Sequence, residues 1–132
     1  MKKIGVLHGE LSKVLASLAH DDMLLIGDAG MPCPKGVQFI DLAVSKAVPS
    51  FMDVLDAVLK EMLVAKAYID IEQAGKSPEF AEKLNQRLDN AFPIIAIAHD
   101  ETKKMSESCK AVVRTGEFTP YANIILKAGC LF

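Results

Sequence analysis

The sequence predicts one α/β domain built on a mixed sheet. Short apolar runs alternate with longer stretches in which apolar residues recur every three or four positions, which is the pattern of strands separated by helices. Some connections are too short for a crossover helix, so not every strand pair can be parallel. The chain has 132 residues and no repeat, low-complexity tract or linker, so residues 1–132 read as a single domain.

Each element has its own signal. Ile4–Leu7 reads as a short strand that ends at His8. Leu11, Val14, Leu15 and Leu18 share one helical face. Met23–Ile26 is an apolar strand closed by the tight Gly27-Asp28-Ala29-Gly30 loop. Pro32 and Pro34 exclude regular structure before a strand over Val37–Ala43. Pro49 opens a long helix with Phe51, Val54, Leu55, Val58, Leu59 and Met62 on one side, and a strand follows within Ala65–Ile71. Ser77 reads as a cap with Pro78 at the first helical position, and Phe80, Leu84 and Leu88 line the helix to about residue 90. Ile94–Ala98 is a strand ending at His99, followed by a short helix over 100–105. Ala111–Arg114 is a strand, 115–117 a turn, and 122–128 the last strand.

Composition narrows the function. Net charge is -2, with 15 basic and 17 acidic residues and no block of like charge, so a nucleic-acid partner is not indicated. Cys33, Cys109 and Cys130 are odd in number and form no C-x-x-C pair, which argues against a disulfide scaffold or zinc site and for reduced thiols in the cytoplasm. The apolar stretch at the start stops at His8 and Glu10, too short for a secretory signal, and no run suits a membrane span. A hydrophobic content of 51% and a mean hydropathy of +0.24 are high for a small domain and point to subunit interfaces.

The candidate acid–base groups stand where elements end: His8, His20, Asp28 and His99. Ligands of open α/β sheets bind beyond the carboxyl ends of strands. Histidine exchanges protons near neutral pH, with an unperturbed pKa of about 6.5. Each histidine could equally cap a helix, and Asp28 could accept sugar hydroxyls or simply close an Asx-turn. Gly27–Gly30 lacks G-x-G-x-x-G and precedes prolines, so a dinucleotide site is not indicated. In extended chain Tyr121 and Asn123 would share a face, as a phenol and an amide able to read hydroxyls. Arg114 and Glu117 are expected to pair across their turn.

The stretch Arg114-Thr115-Gly116-Glu117 with Thr119-Pro120-Tyr121-Ala122-Asn123-Ile124-Ile125-Leu126 resembles the RbsD/FucU family, in its ribose rather than its fucose branch. His20 with Gly27-Asp28-Ala29-Gly30 and Pro32-x-Pro34, and Ile40-Asp41-Leu42-Ala43 with Pro49, extend the resemblance nearly end to end. It departs at Ala19, Asp21 and Cys33, where glycine, threonine and an aliphatic residue are usual. Asp21 adds negative charge beside His20. The resemblance implies a three-layer α/β/α sandwich and a cofactor-free, metal-free isomerase that interconverts the pyranose and furanose rings of D-ribose. It implies His20 as proton donor, and Asp28, His99, Tyr121 and Asn123 as substrate-binding residues. It also implies a ring-shaped homo-oligomer, an octamer or decamer, with sites near subunit boundaries. A mutarotase for another sugar such as fucose, and a non-catalytic ribose-binding accessory of transport, are the alternatives.

Overall fold

In the computed structural model, which describes residues 1–132, the apolar runs become six strands of one sheet, ordered β2-β5-β1-β6-β3-β4. The strands are β1 (Met23–Gly27), β2 (Gln38–Asp41), β3 (Val64–Asp70), β4 (Ile94–Ile97), β5 (Ala111–Arg114) and β6 (Ile124–Ala128). The helices are α1 (Gly9–Ser17), α2 (Phe51–Leu59), α3 (Glu72–Lys76), α4 (Pro78–Leu88) and α5 (His99–Ser106). Five strands run the same way; β6 alone opposes them, between β1 and β3. The nine residues 115–123 between β5 and β6 cannot hold a crossover helix, which is why β6 turns back.

Strand alternation divides the core. Leu24, Ile26, Val113, Ile124 and Leu126 face one way, against the buried stripes of α1, α2 and α4. Phe51 of α2 and Phe80 of α4 meet edge to face there, with ring centroids 5.2 Å apart. Leu25, Val112 and Ile125 face the other way, where Met31, Cys109 and Met105 of α5 cover them. The result is the expected three-layer sandwich with unequal outer layers: three helices on one side, α5 and the 28–37 segment on the other. None of the helices is long and apolar enough to cross a membrane.

Three expectations fail locally, and one helix goes unsignalled. Ile4–Leu7 is not a strand: Gly5 has φ +74°, and the Val6 amide donates to Glu61 Oε1 at 2.7 Å instead of to a neighbouring strand. Val6 alone of this run is buried, while Ile4 and Leu7 are exposed. Met62 is buried but lies beyond the end of α2. The helix α3 is too short to show periodicity, and its one buried residue, Gln73, is polar. Ser77 does precede α4, but its hydroxyl donates to the Pro120 carbonyl at 2.9 Å and does not cap the helix.

The 44–49 turn docks directly on Gly116. The Gly116 amide donates to the Pro49 carbonyl, and its carbonyl accepts from the Ala47 amide. A Cβ at Gly116 would lie 2.5 Å from the Ser45 carbonyl oxygen and 2.7 Å from Val48 backbone atoms, which cannot move independently. Gly116→Ala is therefore expected to lower stability by about 1–3 kcal/mol, read as a lower urea midpoint. Gly9→Ala, where a Cβ meets nothing within 4 Å, is the matched control and is expected to change the midpoint little.

Candidate active site

All five parallel strands end on the same edge of the sheet, and β6 begins there. Strands β1 and β3 lie on either side of β6, so the crevice expected at a topological switch point opens over the start of β6. Asp28 follows β1, Asp70 ends β3, His99 follows β4 and opens α5, and Asn123 precedes β6. Four of the five candidate residues, Asp28, His99, Tyr121 and Asn123, gather at this edge.

Asp70, which the sequence reading did not single out, organises the group. Its carboxylate is 1% exposed. Oδ2 is 2.8 Å from His99 Nδ1 and accepts from Asn123 Nδ2 at 2.8 Å, and Oδ1 accepts from the Thr102 hydroxyl. The Asp28 amide donates to Asn123 Oδ1 at 3.0 Å. A backbone N–H can only donate, so it settles which end of the Asn123 amide faces Asp70. Asn123, fully buried, thus holds Asp28 with one end and Asp70 with the other.

His99 is held on three sides. Its backbone amide donates to both carboxylate oxygens of Glu72, at 3.2 and 3.1 Å, which caps α5. Its Nδ1 is tied to Asp70, and its ring meets the Tyr121 ring edge to face at 5.2 Å. Its Nε2 takes part in no hydrogen bond within the chain, and the side chain is 22% exposed. This nitrogen is the one the chain leaves unengaged.

Asp28 closes the turn that was one of its two readings. Oδ1 accepts from the Gly30 amide at 2.9 Å, an Asx-turn. Burial pushes its carboxyl above the usual carboxylate range; the Gly30 hydrogen bond and the His99 charge oppose this, and Asp70 adds to it. Thr115 pins the preceding residue, its amide and hydroxyl both donating to the Gly27 carbonyl. A shallow cleft of about 410 Å³ adjoins Asp28, walled by Gly30, Glu117, Phe118 and Pro120. A larger one, about 560 Å³, lies between the first turns of α2 and α4 and shares only Glu117 and Thr119 with it.

Tyr121 and Asn123 do not share a face of an extended strand. Tyr121 adopts φ +61°, and the Asn123 amide donates to the Tyr121 carbonyl at 2.9 Å, so the chain turns sharply between them. Gln73 Nε2, also buried, donates to that same carbonyl at 2.9 Å, which together with Ser77 on Pro120 secures the bend. The Arg114–Glu117 pair is also absent. Arg114 instead forms a two-pronged pair with Asp41, at 2.9 and 2.6 Å, because the two residues are register partners on β5 and β2. Glu117 accepts from the Phe51 amide at the start of α2 and from the Thr119 hydroxyl.

His20 lies elsewhere. It precedes β1, whereas Asp28 follows it, so the five residues of β1 separate them by about 15 Å. The His20 side chain is 58% exposed, with Nε2 3.6 Å from Asp21 Oδ2. Asp21 is itself engaged by Lys127 at 3.0 Å, and that ammonium holds its carboxyl below the usual range. His8 caps α1, its Nδ1 accepting from the Leu11 amide. No group of three or more His, Cys, Asp or Glu is placed to hold a metal ion.

Comparison with known proteins addresses the family and the fold. The model of the RbsD / FucU transport protein family matches residues 1–131. A D-ribose pyranase from Coprothermobacter proteolyticus is 47% identical over 132 residues, covering all of both chains. The solved structure of Bacillus subtilis RbsD complexed with D-ribose superposes with a TM-score of 0.95 at 44% identity, again over all of both chains. A fucose mutarotase in complex with L-fucose from Streptococcus pneumoniae shares the fold, with a TM-score of 0.80 at 22% identity over 96% of this chain and 95% of that one. With its fold and its full-length match in accord, this chain belongs to the RbsD/FucU family.

Proposed function

We propose that this chain is a D-ribose pyranase, a cytoplasmic isomerase that interconverts the pyranose and furanose forms of the free sugar. The observation that carries the reading is the crevice itself. It presents a carboxylate, an imidazole nitrogen and a phenol, Asp28, His99 and Tyr121, around a backbone bend fixed by buried hydrogen bonds. These groups suit a neutral polyol. The names of full-length relatives at 44–47% identity select ribose over fucose.

Ring interconversion breaks and remakes a hemiacetal. The anomeric hydroxyl loses a proton as C1=O forms, the C1–ring-oxygen bond breaks, and the ring oxygen takes a proton. A different hydroxyl then attacks C1, and both proton transfers reverse. No oxidation state changes. His20 supplies the acid in this proposal, while Asp28, His99, Tyr121 and Asn123 form the binding side. Positioned acid–base groups contribute about 10²–10⁴-fold each.

Within one chain His20 is on the wrong edge of the sheet, so the site requires two copies: the crevice of one and His20 of the next. Large apolar side chains left on the surface support this, among them Ile4, Val44, Ile71, Phe118 and Leu131. A ring-shaped homo-oligomer, octamer or decamer, would repeat the shared site around a closed circle.

The decisive measurement is saturation-transfer NMR on D-ribose. Added protein should accelerate pyranose–furanose exchange, and His20→Ala should remove most of the acceleration while ribose still binds. Ribose binding with unchanged exchange would instead make the chain a binding accessory, and faster exchange on fucose would move the substrate. Refolding His20→Ala together with Asp28→Asn, each inactive alone, should restore about a quarter of wild-type activity, since a mixed assembly pairs intact halves at random. No restoration would place His20 and Asp28 in one subunit's site.

Asp28 also sets a pH dependence. Its raised pKa means that the carboxylate protonates, and ceases to accept from sugar hydroxyls, at a higher pH than an ordinary aspartate. Ribose affinity should therefore weaken as pH falls from about 7 toward about 4, with a midpoint above the ordinary aspartate value of about 3.9. Titration calorimetry on wild type and on Asp28→Asn checks this; the variant should bind weakly with that dependence flattened.

A further inference from the structure

We infer that Asp70 is a positioning residue that fixes the tautomer of His99, making His99 Nε2 the general base that takes the anomeric proton. The inference rests on the pyranase reading and deepens it by naming the second proton-transfer group.

The hydrogen-bond chain leaves one consistent set of proton positions. The Asp28 amide donates to Asn123 Oδ1, so Asn123 Nδ2 donates to Asp70 Oδ2. That same oxygen lies 2.8 Å from His99 Nδ1. Both oxygens of Asp70 already accept, Oδ2 from Asn123 Nδ2 and Oδ1 from the Thr102 hydroxyl, the pattern of a carboxylate that can only accept. Nδ1 therefore carries the hydrogen and points it at a carboxylate. In the neutral ring Nε2 is then the lone-pair nitrogen, and it is the one that no group of the chain engages. A buried carboxylate behind the ring also stabilises the imidazolium that forms when Nε2 accepts a proton. Thr102, 1% exposed, takes the other carboxylate oxygen and prevents Asp70 from rotating.

The step balances. His99 Nε2 removes the proton from the anomeric oxygen, whose O–H electron pair becomes the second C1–O bond. The C1–ring-oxygen pair passes to the ring oxygen, which takes the proton from His20. On closure the new hydroxyl returns a proton to His20 as it attacks C1, and the imidazolium of His99 reprotonates the anomeric oxygen. Both histidines end as they began.

The charged and titratable groups around His99 are Asp70 from β3, Glu72 from α3, Asp28 beyond β1, Tyr121 before β6, and Asp100 and Glu101 of its own helix. Only Asp70 touches a ring nitrogen, so removing its acceptor should release the tautomer and removing its charge should move the pH profile.

The test reads the tautomer directly. Long-range ¹H–¹⁵N NMR on ¹⁵N-histidine-labelled protein, at a pH where His99 is neutral, should show Nδ1 protonated and Nε2 bare in the wild type. Nε2 protonated in the wild type would overturn the inference whether or not any variant folds. Asp70→Leu, which removes the acceptor, should release the tautomer, whereas Asp70→Asn turns its carbonyl oxygen to Asn123 Nδ2 and His99 Nδ1 and should keep it while removing the charge behind the ring. Asp70→Asn should also slow ribose exchange by about 10²-fold or more with ribose affinity kept within a few-fold, and alter the pH–rate profile. His99→Gln should be as slow as the His99→Gln/Asp70→Asn double variant. Full activity in folded Asp70→Asn, or additive losses in the double variant, would overturn it as well. A wild type that leaves ribose exchange unchanged while showing the Nδ1–H tautomer would sink the pyranase reading and not the Asp70–His99 geometry.

Discussion

The constraint on which this molecule depends is the Asp70 carboxylate, a charge placed at the end of a central strand and removed from water. Unpaired, it would cost several kcal/mol or more. Three donors from two other elements offset that: Asn123 ahead of β6, and His99 and Thr102 on α5. Satisfying one buried charge thereby dictates where β6 begins, how α5 leaves β4, and which way the His99 ring faces. Glu72, on the turn that follows β3, then caps α5. The same hydrogen bonds thus hold both the sheet edge and the crevice.

A second set of polar contacts shapes the other wall. The bend at Tyr121 is a left-handed conformation that a tyrosine rarely adopts. Gln73 and Ser77 hold the carbonyls of Tyr121 and Pro120 from the junction of α3 and α4. Thr115 and Glu117 hold the Asp28 loop, with the Ala29 amide donating to the Glu117 carbonyl at 2.8 Å. Gln73, Ser77 and Thr115 thus fix the outline of the cleft beside Asp28 without lining it.

Much of this was legible in the sequence, and the exceptions have physical reasons. Apolar runs and helical stripes located the β1–β6 strands and four of the five helices because burial writes those patterns directly. The placement of His99 and Asp28 at strand ends followed from the same patterns. Asp70 was missed because one aspartate closing the run Ala67-Tyr68-Ile69 looks like any strand end; its partners are about 30 and 50 residues away and meet it only in the fold. The Arg114–Glu117 pairing failed because cross-strand register put Asp41 opposite Arg114, which no local spacing reveals. The first strand failed because three apolar residues around Gly5 gave the appearance of a run that the glycine breaks. The separation of His20 from the crevice became visible only once β1 had a direction and a length.

The placement of β6 has a consequence for how the protein is made. Strands β2, β5 and β1 form one parallel block and β3 and β4 another, and β6 is the only strand that joins them. It follows the other five strands in the chain, so it is the last strand of the sheet to be synthesised. Until it leaves the ribosome, β1 and β3 each expose an unpaired edge and the carboxylate of Asp70 lacks Asn123. The seam of this sheet therefore closes last: until β6 has emerged, the chain holds two half-sheets with nothing to join them.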